Sequence, residues 1–529
     1  MPSLVQAHDR VKAVEWTPSY VEHQPRYPTR YKLPRKTKDP FRTLVREYLT
    51  MEQEKDDRQY GGFEDVLSRT ARSSDADLGW LEGLKLALPI VVYAEYGAEK
   101  CQSMLVDTVD NAELRAGYLA QAMDERRHLN QQMYLLRHFA KNAADPAGFD
   151  RGMKVRGDNI FARAGRVCFD NFYVNDPIEC AISLQVIGET AYTNPLFVAL
   201  TQVAALNGDH ATPGVFLSIQ SDEARHMANG YATLATVLSE PDNLPMLQQD
   251  FDRSFWKQHV FLDPLISVLF DYFGRGKMNK CYYKLWEEWV ADDWVGNYIG
   301  TLEPFGLQVP KYFGEAAERL KWSGHTAAMV AAASWPLHYW RWPSMTPQHM
   351  EWMENQYPGW YDIYGQFWEA FSCLEDPSME MIPLQGLSQR PFFCRTCALP
   401  CVFPKIDEST ERVRQYNGRN HAFCSNACEE IFCQQPERYE ATILWDELWD
   451  GTSLEEFVVT RDLLRADGKT LIAQPHTRDD SHMWTVDDVA RLNFEITDPI
   501  KDVKDAPELV KQPDGTLVLK TDELVGTGA

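Results

Sequence analysis

Two short stretches of this chain read Asp124-Glu125-Arg126-Arg127-His128 and Asp222-Glu223-Ala224-Arg225-His226, and no other feature restricts the fold as much. Of thirteen histidines, only these two follow a glutamate by three positions. On an α-helix that spacing sets carboxylate and imidazole on one face. One such pair is an ordinary surface ion pair. Two that share Asp-Glu-x-Arg-His point to a repeated structural unit. Each copy is also preceded by a glutamate in an apolar segment: Glu95 lies 30 residues before Glu125, and Glu189 lies 34 before Glu223.

The surroundings of those two glutamates sharpen the reading. Glu95 sits in Leu88-Pro89-Ile90-Val91-Val92-Tyr93-Ala94, and Glu189 in Ile182-Ser183-Leu184-Gln185-Val186-Ile187-Gly188. A buried, unpaired carboxylate costs several kcal/mol, and a cationic cluster removes that cost. Four glutamates and two histidines from four helices are the ligand set of a carboxylate-bridged dimetal centre in a ferritin-like bundle. Oxygen-rich ligation favours iron over copper, with manganese left open. Asp124 and Asp222 are expected to accept from the imidazole N–H groups, with Arg127 and Arg225 holding those carboxylates. Thr193 stands four residues after Glu189, ahead of Asn194 and Pro195. Because Pro195 lacks an N–H, the helix is expected to distort beside the metals, where a threonine hydroxyl can manage protons.

The rest of the chain frames this core. Apolar residues recur at helical spacing from about 41 to 375, with helices expected over 78–106, 112–142, 176–205 and 211–239, then 245–275, 280–300, 311–341 and 347–373. The fold class is therefore mainly α: a ferritin-like four-helix bundle with additional helices, a small Cys-rich module and a mixed C-terminal region. The expected divisions are an extended arm (1–45) contacting partner subunits, the helical domain (46–375), the Cys module (376–445) and a mixed α/β region (446–529). The arm is rich in proline, and its basic block from Arg26 to Arg42 offers a grip for a partner subunit. In the module, Cys394-x2-Cys397 and Cys424-x3-Cys428 are two chelating pairs suited to a tetrahedral thiolate zinc, with Cys401, His421 and Cys433 as substitutes. In the tail, Asp514-Gly515 before Thr516-Leu517-Val518-Leu519 reads as a turn and short strand.

A net charge of −24 repels nucleic acid and anionic lipid. The richest apolar run, Leu86 to Tyr96, is too short for a membrane helix and contains Pro89. The start of the chain lacks the pattern of a secretory signal, so a cytoplasmic location is expected.

Beyond the ligands, the chain resembles the hydroxylase α subunits of the soluble bacterial multicomponent di-iron monooxygenases, of the methane, propane, butane and phenol type. The resemblance includes Tyr118-Leu119-Ala120-Gln121, Thr193-Asn194-Pro195, Ser221-Asp222-Glu223, Met227-Ala228-Asn229-Gly230-Tyr231, Tyr357-Pro358-Gly359-Trp360-Tyr361 and Gly468-Lys469-Thr470-Leu471-Ile472-Ala473-Gln474-Pro475-His476. It implies that Glu95, Glu125 and His128 bind one iron and Glu189, Glu223 and His226 the other, with Glu125 bridging and Glu223 able to shift on reduction. Thr193 matches the family's active-site threonine. Val91, Gln132, Cys168, Phe172 and Phe197 match cavity-lining positions. The resemblance also implies an (αβγ)2 hydroxylase with β and γ subunits, a small coupling protein, and a separate flavin and iron–sulfur reductase using NADH. The reaction implied is insertion of one oxygen atom of O2 into a small hydrocarbon, the other leaving as water. Gln132 and the cysteine module agree with the propane and aromatic types rather than the methane type. Short-chain alkanes or alkenes such as propane or butane are the expected substrates. An aromatic (phenol, toluene, benzene) hydroxylase is the alternative, and a di-iron desaturase, a ribonucleotide reductase radical subunit or a non-enzymatic iron-binding protein are more remote.

Overall fold

A computed structural model of the chain describes residues 29–36, 43, 44, 47, 76–155, 159–372, 392–401, 412–449, 452–474, 483–491 and 499–520. The bundle is two helical hairpins. The first is α1 (Leu78–Thr108) and α2 (Ala112–Asn142). After a shorter helix α3 (Ile160–Asp170), the second begins at α4 (Pro177–Ala181), widens into a π-helical stretch Ile182–Thr193, resumes as α5 (Asn194–Leu206) and returns as α6 (Ala211–Leu238). Packing of α2 against α6 joins the hairpins.

The helix starts follow from their capping residues. Asp77 accepts from the backbone N–H of Gly79 and Trp80 at α1, Asn111 from Leu114 at α2, and Asp176 from Ile178 at α4, where Pro177 needs no partner for its nitrogen. Two glycines permit the close approach of the hairpins. A Cβ on Gly117 would stand 2.4 Å from Asn229 Oδ1, and one on Gly230 would stand 2.8 Å from the Gln185 carbonyl oxygen. Either contact is below van der Waals distance, so only glycine lets α2, α6 and the π stretch meet here.

The outer helices depart from the sequence expectation in places. Helix α7 (Leu244–Ser267) runs on as a π turn to Phe273, and the segment expected over 280–300 is α-helical only over Tyr282–Trp286 before it becomes π-helical to Tyr298. The helix expected over 311–341 ends early: α8 spans Phe313–Ala333, and a single tight turn Trp335–Leu337 follows. Pro336 and Pro343 prevent helical continuation there, and Trp335, Trp340 and Trp342 fill the core instead. The segment expected over 347–373 is divided at Tyr357–Trp360, where Gly359 takes φ +89°.

The described part of the arm lies on its own chain. Tyr31 is buried and donates to Asp250, Arg30 pairs with Asp250, Lys32 pairs with Asp242, and Thr29 Oγ1 donates to Asp176 at 2.7 Å. For Arg30 and Lys32, the carboxylates met by the basic block therefore belong to this chain; Arg26, Lys38 and Arg42 lie outside the described residues. Beyond the bundle, strands β1 (Phe392–Phe393) and β2 (Pro400–Cys401) form one antiparallel pair, and β3 (Val413–Tyr416) and β4 (Arg419–Ala422) another, followed by α9 (Asn426–Gln434) and α10 (Pro436–Glu440). The expected C-terminal turn and strand form the hairpin of β5 (Leu509–Lys511) and β6 (Leu517–Leu519). It packs beside β3, with Gln415 N–H donating to the Pro507 carbonyl at 2.9 Å. No helix among the described residues is long and apolar enough to cross a membrane.

Candidate metal centres and cavity

The four helical segments deliver six side chains to one point. Glu95 comes from α1, Glu125 and His128 from α2, Glu189 from the π stretch, and Glu223 and His226 from α6; all are buried. Their donor atoms form two overlapping groups, Glu95, Glu125, His128 and Glu125, Glu189, His226, with Glu125 common to both. His128 Nδ1 lies 3.5 Å from Glu95 Oε2 and 3.6 Å from Glu125 Oε2. His226 Nδ1 lies 3.5 Å from both Glu125 Oε1 and Glu189 Oε1. Glu223 faces both imidazoles, Oε1 at 3.9 Å from His128 Nδ1 and Oε2 at 3.6 Å from His226 Nδ1. Donors about 2 Å from a shared ion stand about 3 to 3.5 Å apart, and the separations here, 3.5 to 3.9 Å, need only a slight closing to reach that range.

The electrostatics fit a pair of cations. Burial, reinforced by Glu223, pushes the Glu95 carboxyl up to about 8. Burial likewise raises Glu125 and Glu189 against the favourable pull of His226. Glu189 Oε2 and Glu223 Oε2 are buried without a hydrogen-bond partner among the described residues. Two orphaned carboxylate oxygens at a point where four glutamates converge are what metal ligation would satisfy.

The aspartates act across the hairpins. His128 Nε2 meets Asp222 Oδ2 at 2.9 Å, and His226 Nε2 meets Asp124 Oδ2 at 3.3 Å. Each imidazole is thus held by the carboxylate of the other repeat, leaving Nδ1 toward the cluster. Arg127 pairs with Asp124 and Arg225 with Asp222, and Arg225 Nη2 also reaches Asp124 Oδ2 at 3.4 Å.

An amide network that the sequence reading did not single out supports the ligands. Gln121 Nε2 donates to Glu125 Oε1 at 2.9 Å and Glu189 Oε1 at 2.7 Å, while its Oε1 accepts from Gln185 at 2.7 Å and Asn229 at 3.0 Å. Gln185 lies in the same apolar run as Glu189, and a buried amide in such a run needs partners; that was the available signal.

A cavity of about 90 Å³ opens on Glu95, Glu125, Glu189 and Glu223, walled by Leu84, Leu88, Val91, Phe169, Phe172, Leu184, Phe197, Phe216, Leu262 and Leu265. Val91, Phe172 and Phe197 are on its wall, and so is Thr193. Two expectations need correction. Gln132 does not line the cavity; it donates to Glu95 Oε1 at 2.5 Å, behind the ligand. Cys168 is buried outside it, because Phe169, one residue on, turns to the cavity with Phe172. The expected distortion before Pro195 is the π stretch, and the Thr193 hydroxyl donates to the Gly188 carbonyl at 2.9 Å. The Asn194 side chain lies outside the described residues.

In the module, Cys394, Cys397, Cys424 and Cys428 form a buried four-sulfur group. Cys397 Sγ and Cys424 Sγ are 3.8 Å apart, and Cys424 and Cys428 3.5 Å. The first pair sits on a tight turn with Ala398 at φ 60°, and the second at the start of α9, where Ser425 caps Cys428 N–H. Cys401, His421 and Cys433 fall outside this group.

A helical bundle with paired carboxylate–imidazole hairpins and an apolar cavity on the carboxylates defines the class of carboxylate-bridged dimetal proteins. The methane/phenol/alkene hydroxylase family model matches residues 16–241. The chain is 38% identical to the methane monooxygenase component A alpha chain of Methylococcus capsulatus (strain Bath) over 94% of both chains. It is 36% identical to the large subunit of the propane 2-monooxygenase hydroxylase component of Gordonia sp. (strain TY-5), over 93% of each. Among solved structures, phenol hydroxylase from Pseudomonas sp. OX1 superposes with TM-score 0.66 at 25% identity, covering 77% of this chain and 82% of that one. The chain belongs to the methane/phenol/alkene hydroxylase family.

Proposed function

We propose that this chain is the oxygen-activating α subunit of a multicomponent monooxygenase that hydroxylates or epoxidises small hydrocarbons, short-chain alkanes or alkenes such as propane or butane. The observation that carries the reading is the largely apolar cavity that opens on the glutamate cluster. Its tasks divide among named residues. Glu95, Glu125 and His128 are assigned to one iron, and Glu189, Glu223 and His226 to the other, with Glu125 common to both. Bound iron supplies the redox chemistry that activates O2. Asp124 and Asp222 hold the Nε2–H groups, so that Nδ1 is offered as ligand, and Arg127 and Arg225 pair with those aspartates. Phe172, Phe197 and Leu265 exclude water and receive the hydrocarbon. Thr193, on the cavity wall with its hydroxyl donating to the Gly188 carbonyl, is the residue that would hold and pass a proton there.

Electrons from NADH would arrive through a separate flavin and iron–sulfur reductase, and the working assembly would be (αβγ)2 with a coupling protein, in the cytoplasm. Cys394, Cys397, Cys424 and Cys428 are assigned to one structural zinc per chain, supported by their burial and grouping. A second substrate reading is favoured by the four rings of Phe169, Phe172, Phe197 and Phe216 around the cavity and by the match to phenol hydroxylase: an aromatic hydroxylase. The test is single turnover of the chemically reduced hydroxylase with 18O2 and propane, propene, butane, benzene or phenol. An 18O-labelled product identifies the substrate class. Absence of product from every hydrocarbon, with iron retained, overturns the monooxygenase reading.

A further inference from the structure

Helix α8 presents two opposite charges to the cysteine module. Glu315 Oε1 accepts from the backbone N–H of Asn426 at 3.0 Å and of Ala427 at 3.4 Å, at the first turn of α9. One helical turn on, Arg319 is only 4% exposed. Among the described residues it forms no ion pair with a carboxylate, and its Nε and Nη1 have no hydrogen-bond partner. Its guanidinium lies within electrostatic range of Cys424, Cys397, Cys428 and Cys394. Two other buried arginines have carboxylates: Arg127 has Asp124, and Arg253 has Glu179 and Asp250.

A buried guanidinium without a carboxylate costs several kcal/mol, and the Trp322 ring, its centroid 5.6 Å from the Arg319 guanidinium carbon, offsets only part of that. Four neutral thiols would leave that cost standing, and four thiolates without an ion would repel one another. A divalent ion held by four thiolates keeps two negative charges, and Arg319 is the buried cation beside them. A second donor comes from the bundle: Trp256 Nε1–H points at Cys428 Sγ, 3.2 Å away. Trp256 lies on α7, two residues before Gln258, which is on the wall of the hydrocarbon cavity.

We propose that Arg319 is the counter-cation of a tetrathiolate metal centre, a positioning residue that slows loss of the ion and ties its occupancy to the seating of the module on α7 and α8. This rests on the zinc assignment made above. The test uses the assembled hydroxylase with its native partners. Zinc per chain is measured by elemental analysis, and its release is followed with the chromogenic chelator 4-(2-pyridylazo)resorcinol. The cobalt-exchanged protein reports the thiolate-to-metal charge-transfer band. Arg319→Gln is expected to release zinc about 10- to 100-fold faster and to shift the cobalt band, which simple loosening of the fold would not move. Arg319→Lys, which keeps the charge but loses the planar fork, is expected to retain stoichiometric zinc with a smaller acceleration, and it decides the matter if the glutamine variant does not fold. One zinc in the parent protein together with parent-like release and an unshifted band in the variants overturns the role of Arg319 alone. No zinc in the parent protein overturns the tetrathiolate assignment and this inference with it.

Discussion

The bundle and the cysteine module each gather metal-ligand side chains, but they balance charge in opposite ways. In the bundle, four glutamates and two imidazoles face one point. Two divalent ions there would meet four negative charges, leaving no demand for an outside counter-ion. Its arginines are accordingly matched by aspartates. In the module, four sulfurs would leave two negative charges on one ion, and a buried arginine without a carboxylate stands beside them. Hard oxygen donors come from long helices at a three-residue spacing, while soft sulfur donors come from a turn and a helix start. The outer partners differ too: in the bundle they cross between repeats, and in the module they come from helices of another region.

The sharpest way to break the comparison is to remove ligands from one centre and read both. Glu189→Ala or His226→Ala should abolish hydroxylation and empty one iron site, with zinc unchanged by elemental analysis; retained turnover contradicts the ligand assignment. The double change Cys394→Ser, Cys424→Ser should remove zinc while an iron optical signature persists. Loss of both metals together would show that the centres are not separable. Next in size is the seam between the regions. Burial opposes ionisation of Glu179, but Arg253, Lys257, Arg438 and Arg30 overcome it and hold the carboxyl down at about 2. Its folded value lies below the ordinary one, so its contribution is present above about 4.5 and is lost as pH falls toward about 2. Glu179→Gln should therefore flatten acid unfolding in that window, by on the order of a few kcal/mol, as measured by denaturant titration at several pH values. Asp124→Asn and Asp222→Asn should weaken iron binding about 10- to 100-fold and leave zinc untouched. The smallest effect is expected of Glu315→Ala, which uncaps α9 and should cost about 1 kcal/mol, seen as a lower Tm of the module.

The bundle was legible because its information is local. A three-residue carboxylate–imidazole spacing, an apolar run around each lone glutamate, and capping residues such as Asp77, Asn111 and Asp176 are all written within one helix. What needed coordinates was tertiary. That Asp124 serves His226 rather than its neighbour His128 depends on the crossing of α2 and α6. Gln132 stands behind Glu95, and Phe169 takes the wall position expected of Cys168, because facing the cavity is settled by helix rotation, which the surrounding apolar residues do not fix. The early end of α8 was signalled by Pro336 and Pro343, whereas the burial of Trp335, Trp340 and Trp342 in the core beyond it is settled by tertiary packing. Arg319 gave no local sign at all, since its partners lie some 75 to 109 positions further along the chain.

The crossed aspartate–imidazole pairs make the two hairpins interdependent. Neither repeat holds its own histidine, so a fragment ending between α5 and α6 would have His128 without Asp222, and the complementary fragment would have His226 without Asp124. Arg225 reaches both Asp222, which steers His128, and Asp124, which steers His226, so seating an ion against one imidazole is felt at the other pair. Iron uptake should therefore be cooperative, with singly loaded protein scarce at every point of a titration.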